Sequence, residues 1–236
     1  MKTASIVTMH FPCNFGAVLQ TYGLYHYLQE TGLDVIVVNY IPDYFKEKIS
    51  IWYIGNPKYK KNPVLRLLYY TLMVPLRIRQ KKAFAKFRAN ELKETAPITQ
   101  TELMNGNHIN SDFSFCGSDQ IWNENNGTIS DPIYFLQFVN RDSKKFSYAA
   151  SGTITYPFSQ NIQSKVFPWL RNLDKISVRE DVMQQNLQMG LKRNVIQVCD
   201  PVFLIDKDEW ITLSQKVTFR FIKKPYIVVY AIGNDP

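Results

Sequence analysis

Cysteine and histidine are sparse, with three of each in 236 residues. Cys13, Cys116 and Cys199 stand far apart and are odd in number. That spacing excludes a disulfide framework and a thiolate metal site, and it points to a reduced, cytoplasmic chain. No cluster of His, Cys and acidic residues has ligand spacing, so no metal is expected. No Gly-x-Gly-x-x-Gly occurs, which removes the fingerprint of a dinucleotide site. Long apolar runs are also missing. The longest, Val64 to Leu76, contains Arg66 and Pro75 and is too short to span a bilayer. The opening KTASIVTM is too short and too polar for a secretory signal. No repeat period and no low-complexity tract stands out.

What is present suits a packed core, since 45% of residues are hydrophobic and 14% aromatic. The formal charge of +8 is concentrated in one element. Residues 58–93 hold eleven Lys and Arg against one acid, Glu91, a local charge of +10 that leaves −2 for the rest of the chain. A basic helical segment of this kind has three readings: a solvated face, a peripheral contact with anionic membrane headgroups, or a guide for an anionic glycan acceptor. No recognition motif accompanies the charge, so nucleic acid is not expected as a partner.

The pattern along the chain is α/β. SIVTM (Ser5–Met9) reads as a strand, VLQTYGLYHYLQETG as a helix stopped near Gly32, and DVIVVNY (Asp34–Tyr40) as a buried parallel strand. Residues 43–62 read as irregular, and residues 63–92 as a helix interrupted or kinked at Pro75. Strands are expected at DFSFCGS, Tyr134–Val139, Lys144–Ser151, within DKISVRE, and at Val195–Pro201. Helices are expected at 159–173, at Asp181–Met189 closed by Gly190, and at the start of DKDEWITLSQK. The fold class expected is Rossmann-like, a mostly parallel sheet with flanking helices. KPYIVVYAIGNDP reads as one more strong strand.

Chemistry-bearing residues gather at the predicted carboxyl ends of strands. HFPCNFGAVLQ feeds a helix amino end, where backbone N–H groups, Asn14 and Gly16 suit a phosphate or carboxylate; the plain alternative is a turn. In GSDQIWN, Gly117 and Ser118 can turn and cap, and Gln120 and Asn123 can hydrogen-bond. Trp122 offers a face for a sugar ring, and Asp119 is the ionisable group that could serve as a general base. The alternative makes Asp119 a cap and Trp122 a core residue. Arg179 could bind an anion bidentately or pair with Glu180. Asp200–Pro201 suits a tight turn. His10 could titrate beside the first loop, while His26 and His108 carry no assigned role. Cys13 and Cys116 read as small buried residues.

Three segments together, NFGAVLQTYGLYHYL (Asn14–Leu28), FCGSDQIWN (Phe115–Asn123) and ISVRE with VCDPVFL (Ile176–Glu180, Cys199–Leu204), resemble the polysaccharide pyruvyl transferase family. The resemblance implies transfer of pyruvate, as a ketal, from phosphoenolpyruvate to a sugar of a cell-surface or exported polysaccharide, with no other cofactor. It implies the N-terminal half of a GT-B-like pair of Rossmann-like domains, in which residues 1–224 form one domain carrying the 58–93 insertion and 225–236 begin a second. The site it implies comprises Asp119 as the catalytic carboxylate and Asn14, Phe15, Gly16, Gln20, Gly117, Ser118, Gln120, Trp122, Arg179 and Glu180 around the substrates. The partners it implies are phosphoenolpyruvate and a saccharide acceptor. A glycosyltransferase using a nucleotide sugar, and a non-catalytic module binding anionic glycan or membrane, are the alternatives.

Overall fold

The structure is a computed structural model that describes residues 1–106 and 109–216. His108 and the expected strand at 225–236, with the expected domain boundary before it, lie outside the described residues. The chain divides into two compact units, Met1–Leu204 and Ile205–Pro236. The second contributes one described helix, α8 (Lys207–Gln215).

The first unit is a Rossmann-like α/β layer. Its strands are β1 (Thr3–Val7), β2 (Asp34–Val37), β3 (Phe113–Cys116), β4 (Asp119–Trp122), β5 (Lys144–Gly152), β6 (Lys175–Val178) and β7 (Ile196–Gln197). They form a seven-stranded sheet in the order β2-β1-β3-β5-β6-β7, with β4 also paired to β5. The ladders are parallel. The strand order turns back on itself at β1, so the crevice beyond the carboxyl ends of β1 and β3 is where an open α/β sheet accepts a ligand.

Helices cover the sheet: α1 (Phe15–Glu30), the short α2 (Asp43–Lys46) and α3 (Pro57–Lys61), α4 (Pro63–Glu91), α5 (Gln100–Asn105), α6 (Phe167–Arg171) and α7 (Asp181–Leu191). Helix α1 starts where Asn14 accepts the Ala17 N–H at 3.1 Å, and its chain turns away through Gly32 at φ +86°. Gly23, in mid-helix, lets α1 approach the turn after β7: a Cβ there would lie 2.5 Å from the Pro201 carbonyl oxygen.

Several elements differ from the sequence expectation, among them the short helices α2 and α3 inside residues 43–62, which were expected to be irregular. Tyr134–Val139 is no strand. Asp131 accepts the Ile133 N–H at 3.0 Å and opens a tight 3-10 turn at Pro132–Phe135, with Ile133, Tyr134 and Phe135 fully buried, which a continuous apolar run does not distinguish from a strand. The segment Asp119–Trp122 forms a strand, β4, where a loop was expected. The strand at Val195–Pro201 shrinks to two exposed residues at the edge of the described sheet. Helix α7 runs through Gly190, which is glycine for packing, because a Cβ would sit 2.4 Å from the Phe167 ring. Helix α4 also continues through Pro75 as one helix, held by buried Val74 and Phe84 and by Arg77, which donates to the Ile51 and Tyr53 carbonyls.

Candidate active site at the carboxyl edge of the sheet

A buried seam ties the loop after β1 to the loop after β3. Gln20, on the first turns of α1, donates from Nε2 to Thr8 Oγ1 at 3.0 Å and accepts the Ser118 N–H at 3.2 Å. Thr8 Oγ1 donates to the Ser118 carbonyl at 3.0 Å, and Ser118 Oγ donates to the Ala149 carbonyl at 3.1 Å. Every one of these side chains is buried. Buried polar groups must be satisfied, and here they satisfy one another, so the seam fixes the relative height of two strand ends. Gly117 belongs to the same seam. Its φ is +112°, and a Cβ would lie 2.2 Å from the Tyr148 carbonyl oxygen. Gln20, Gly117 and Ser118, expected around the substrates, therefore form the frame behind the site.

Trp122 is a second correction. Its indole is fully buried, stacked on Phe135 at 5.3 Å and 6° between planes, and its N–H donates to the Tyr134 carbonyl at 3.0 Å. Both faces and the polar edge are used in the core, which leaves no platform for a sugar. The strand β4 that carries it packs so closely on β5 that a Cβ on Gly152 would lie 1.9 Å from the Trp122 carbonyl oxygen.

In front of this frame stand the accessible groups. Asn14, Phe15 and Gly16 are exposed at the amino end of α1. Asp119 is half-buried at the carboxyl edge, with φ +74°, and its Oδ1 accepts the Gln120 N–H at 2.8 Å. Burial raises its carboxyl pKa above the ordinary 3.8; the Gln120 N–H and Arg179 pull it back, and Asp200 pushes it further up. Gln120 is exposed and its Oε1 accepts from Asn123 Nδ2 at 2.6 Å. The register of β5 against β6 shifts between Ser147 and Ala150, beside Asp119. Such irregularities re-aim side chains at sheet ends.

Arg179 and Glu180 lie between β6 and α7. Arg179 donates to Glu180 Oε1 at 3.1 Å and to Asp200 Oδ2 at 3.0 Å, and Ser151 also donates to Glu180 Oε1, at 2.7 Å. Arg179 is thus ion-paired with Glu180 and Asp200 at the carboxyl edge. Asp200 doubles as the cap of the turn it opens, accepting the Val202 N–H at 3.1 Å. The cluster of Asp119, Glu180 and Asp200 around one arginine is rich in acid, which suits proton transfer more than anion capture.

The cations nearer the first loop come from a helix that the sequence set apart. Helix α4 crosses the loop: Phe84 packs on Phe15 at 5.1 Å, and Gln80 Nε2 reaches the Cys13 carbonyl at 3.5 Å. Lys81 and Arg88 draw the Cys13 thiol pKa down against the upward pull of its burial. Arg88 pairs with Glu94 at 2.9 Å, whereas Lys81 is exposed. No spacing in the sequence signals this return of α4 to β1. Cys116 is buried as expected, and Cys13 only half so. His10 lies in the interior, its Nδ1 3.2 Å from the Thr8 carbonyl and its Nε2 3.9 Å from Glu94. It faces inward and away from the open loop.

A family model described as polysaccharide pyruvyl transferase matches residues 14–234, nearly the whole chain. The chain belongs to that family. It is a transferase family, and its reaction takes a saccharide acceptor. No curated protein and no solved structure matches. Among the described residues, no helix is long and apolar enough to cross a membrane. The match begins at Asn14, the cap of α1, so Asn14–Gly16, Gln20, Gly117 and Ser118 of the seam, and the acid–arginine cluster fall inside the pyruvyl transferase region, while Thr8 precedes it.

Proposed function

We propose that this pyruvyl transferase takes phosphoenolpyruvate as donor and works in the cytoplasm, with its reaction centred on Asp119. In this reaction an acid delivers a proton to the methylene carbon of the donor, which makes the central carbon electrophilic. A sugar hydroxyl adds there, its own proton passing to a base, and a second hydroxyl of the same sugar displaces phosphate and closes the ketal. The acceptor diol and phosphoenolpyruvate together balance the ketal and inorganic phosphate, with no water consumed. The protein must neutralise the donor and hold two hydroxyls at one carbon.

Asp119 is the group proposed to exchange the proton. The observation that supports this most is its setting: a half-buried carboxyl held above its ordinary pKa, at the carboxyl edge, next to the open loop. The donor's phosphate and carboxylate are assigned to the amino end of α1 at Asn14–Gly16, with Lys81 beside it. Gln120 is assigned to the sugar. Arg179 is assigned to positioning, because its guanidinium already holds Glu180 and Asp200. In this reading a second Rossmann-like domain faces the same edge in a GT-B-like arrangement, and the basic segment 58–93 lies at the inner face of the membrane.

The test is turnover. Phosphoenolpyruvate and a panel of nucleotide- or lipid-linked saccharides should release phosphate and give an acceptor heavier by pyruvic acid less one water. Asp119→Asn should lower both signals about a hundredfold or more. Release of a nucleoside diphosphate from a nucleotide sugar, with no use of phosphoenolpyruvate, would replace this reading with glycosyl transfer.

A further inference from the structure

The outward face of α4 carries a pattern that the transferase reading does not use. Val64, Leu67, Leu68, Leu72 and Leu76 are 73, 69, 54, 59 and 59% exposed. Residues 64, 68, 72 and 76 recur every fourth position, so these four side chains share one face of the helix, with Leu67 at its flank. The same face continues after Pro75 with Arg79, Lys82 and Lys86, all exposed. One helix thus presents a bare aliphatic half and then a cationic half. Lys58, Lys60 and Lys61 of the preceding α3 and Arg66 add charge at the aliphatic end. Trp52, 56% exposed, lies on the flank, edge-on to Tyr70 of α4 at 5.3 Å.

The inner face of α4 is fastened to the domain by Val74, Phe84 and the Arg77 bonds to the 51–53 loop. The outer leucines are therefore left over from packing. An exposed aliphatic stripe of this extent on a surface helix marks a contact. The only acid in residues 58–93 is Glu91, so a second copy docked on this face would bring two cationic clusters together with nothing to offset them. An anionic bilayer offers what the face lacks: hydrocarbon for the leucines and negative headgroups for the lysines and arginines.

We propose that the outer face of α4 is an interfacial membrane anchor for anionic phospholipid. Val64, Leu67, Leu68, Leu72 and Leu76 enter the acyl boundary, while Arg79, Lys82 and Lys86 hold headgroup phosphates. Because Phe84 and Gln80 seat the same helix on the loop after β1, an anchored α4 sets that loop at a defined distance from the lipid surface. The proposal narrows the broader assignment of residues 58–93 to one face and one lipid charge, and it needs none of the sugar chemistry.

The experiment is flotation of the full chain with two kinds of vesicle, phosphatidylcholine alone and phosphatidylcholine mixed with phosphatidylglycerol. Binding is expected to the mixed vesicles only and to weaken as salt rises. Leu68→Ser with Leu72→Ser should lower partitioning at least roughly tenfold while circular dichroism and Tm stay unchanged, since both side chains are more than half exposed. Arg79→Glu with Lys82→Glu should lower it roughly tenfold or more at low salt. Absence of binding to mixed vesicles, equal binding to neutral ones, or indifference to both double variants would overturn the proposal. So would a concentration-dependent dimer that the leucine variant dissolves in the absence of lipid binding. None of these readouts uses phosphoenolpyruvate, so failure here and failure of the transferase reading are separable.

Discussion

The loop after β1 and the loop after β3 lie side by side at one edge of the sheet, and they spend their residues differently. At Asn14–Gly16 all three residues face outward, and a single side chain, Asn14, holds the helix end. At Gly117–Asn123 only Asp119 and Gln120 reach out; Gly117, Ser118, Ile121, Trp122 and Asn123 are buried. The first loop is an open cradle. The second is a wall with one acid set in it. The difference shows that a specific motif can owe most of its residues to building a wall and only one or two to chemistry.

The largest effect that would sharpen this contrast is at Asp119. Asp119→Asn should cut turnover by about a hundredfold to ten-thousandfold and leave the fold intact, because asparagine also tolerates a positive φ. Its stability should not fall at neutral pH. Burial raises the carboxyl above 3.8, so the folded state holds that proton more tightly than the unfolded chain does. Stability from this group is present below 3.8 and drains as pH climbs through the raised value. The amide removes that drain, and urea titrations at several pH values would show a flatter profile. Unchanged turnover would break the assignment.

Trp122→Ala should act in the opposite sense. It should cost about 3–5 kcal/mol of stability through the cavity it leaves, measured by chemical denaturation. A variant of native stability with a raised KM for the acceptor would restore Trp122 to the sugar site and undo the contrast.

In the open loop the expected effect is smaller. Asn14→Ala should cost about 1 kcal/mol by uncapping α1, and it should raise KM for the donor with little change in kcat. A loss confined to stability would reduce the loop to a cap.

The smallest effect concerns His10, which the sequence placed beside this loop and the structure turns inward. Burial holds its imidazole below 6.5, against the opposing pull of Glu94 and its bond to Thr8. Arg88 acts in the same direction as burial, and Asn39 hydrogen-bonds the ring. The unfolded chain therefore takes the proton first as pH falls. Stability from this group is present above 6.5 and declines below it, by at most about 1.4 kcal/mol per pH unit. His10→Gln should flatten that decline without changing turnover. A large loss of turnover would return His10 to the site.

Much of this arrangement is legible in the sequence. Apolar runs and breakers placed β1, α1, β2, β5 and α7, because buried strands and capped helices leave local signals. The carboxyl-edge position of both loops followed from the α/β order. What was not legible depended on partners remote in sequence. Nothing local marks Tyr134 as part of a buried turn capped by Asp131, or Gly190 as a clearance for the Phe167 ring. The burial of Gln20 and Ser118 rests on Thr8 and Ala149, and the approach of Lys81 rests on α4 crossing back over the loop after β1. A polar side chain in a motif reads the same whether it meets a ligand or another strand.

A cavity of about 620 Å³ makes the decisive comparison possible, because it lies at the other end of the sheet. Gln137, Arg141, Lys145 and Asp174 line it, at the amino ends of β5 and β6. The direct measurement is a titration of the isotope-labelled chain with phosphoenolpyruvate, followed by backbone amide shifts. The expected shifts gather at Asn14–Ala17 and Asp119–Gln120, with Arg141 and Lys145 silent. Shifts centred on Arg141 and Lys145, with both carboxyl-edge loops unmoved, would contradict it.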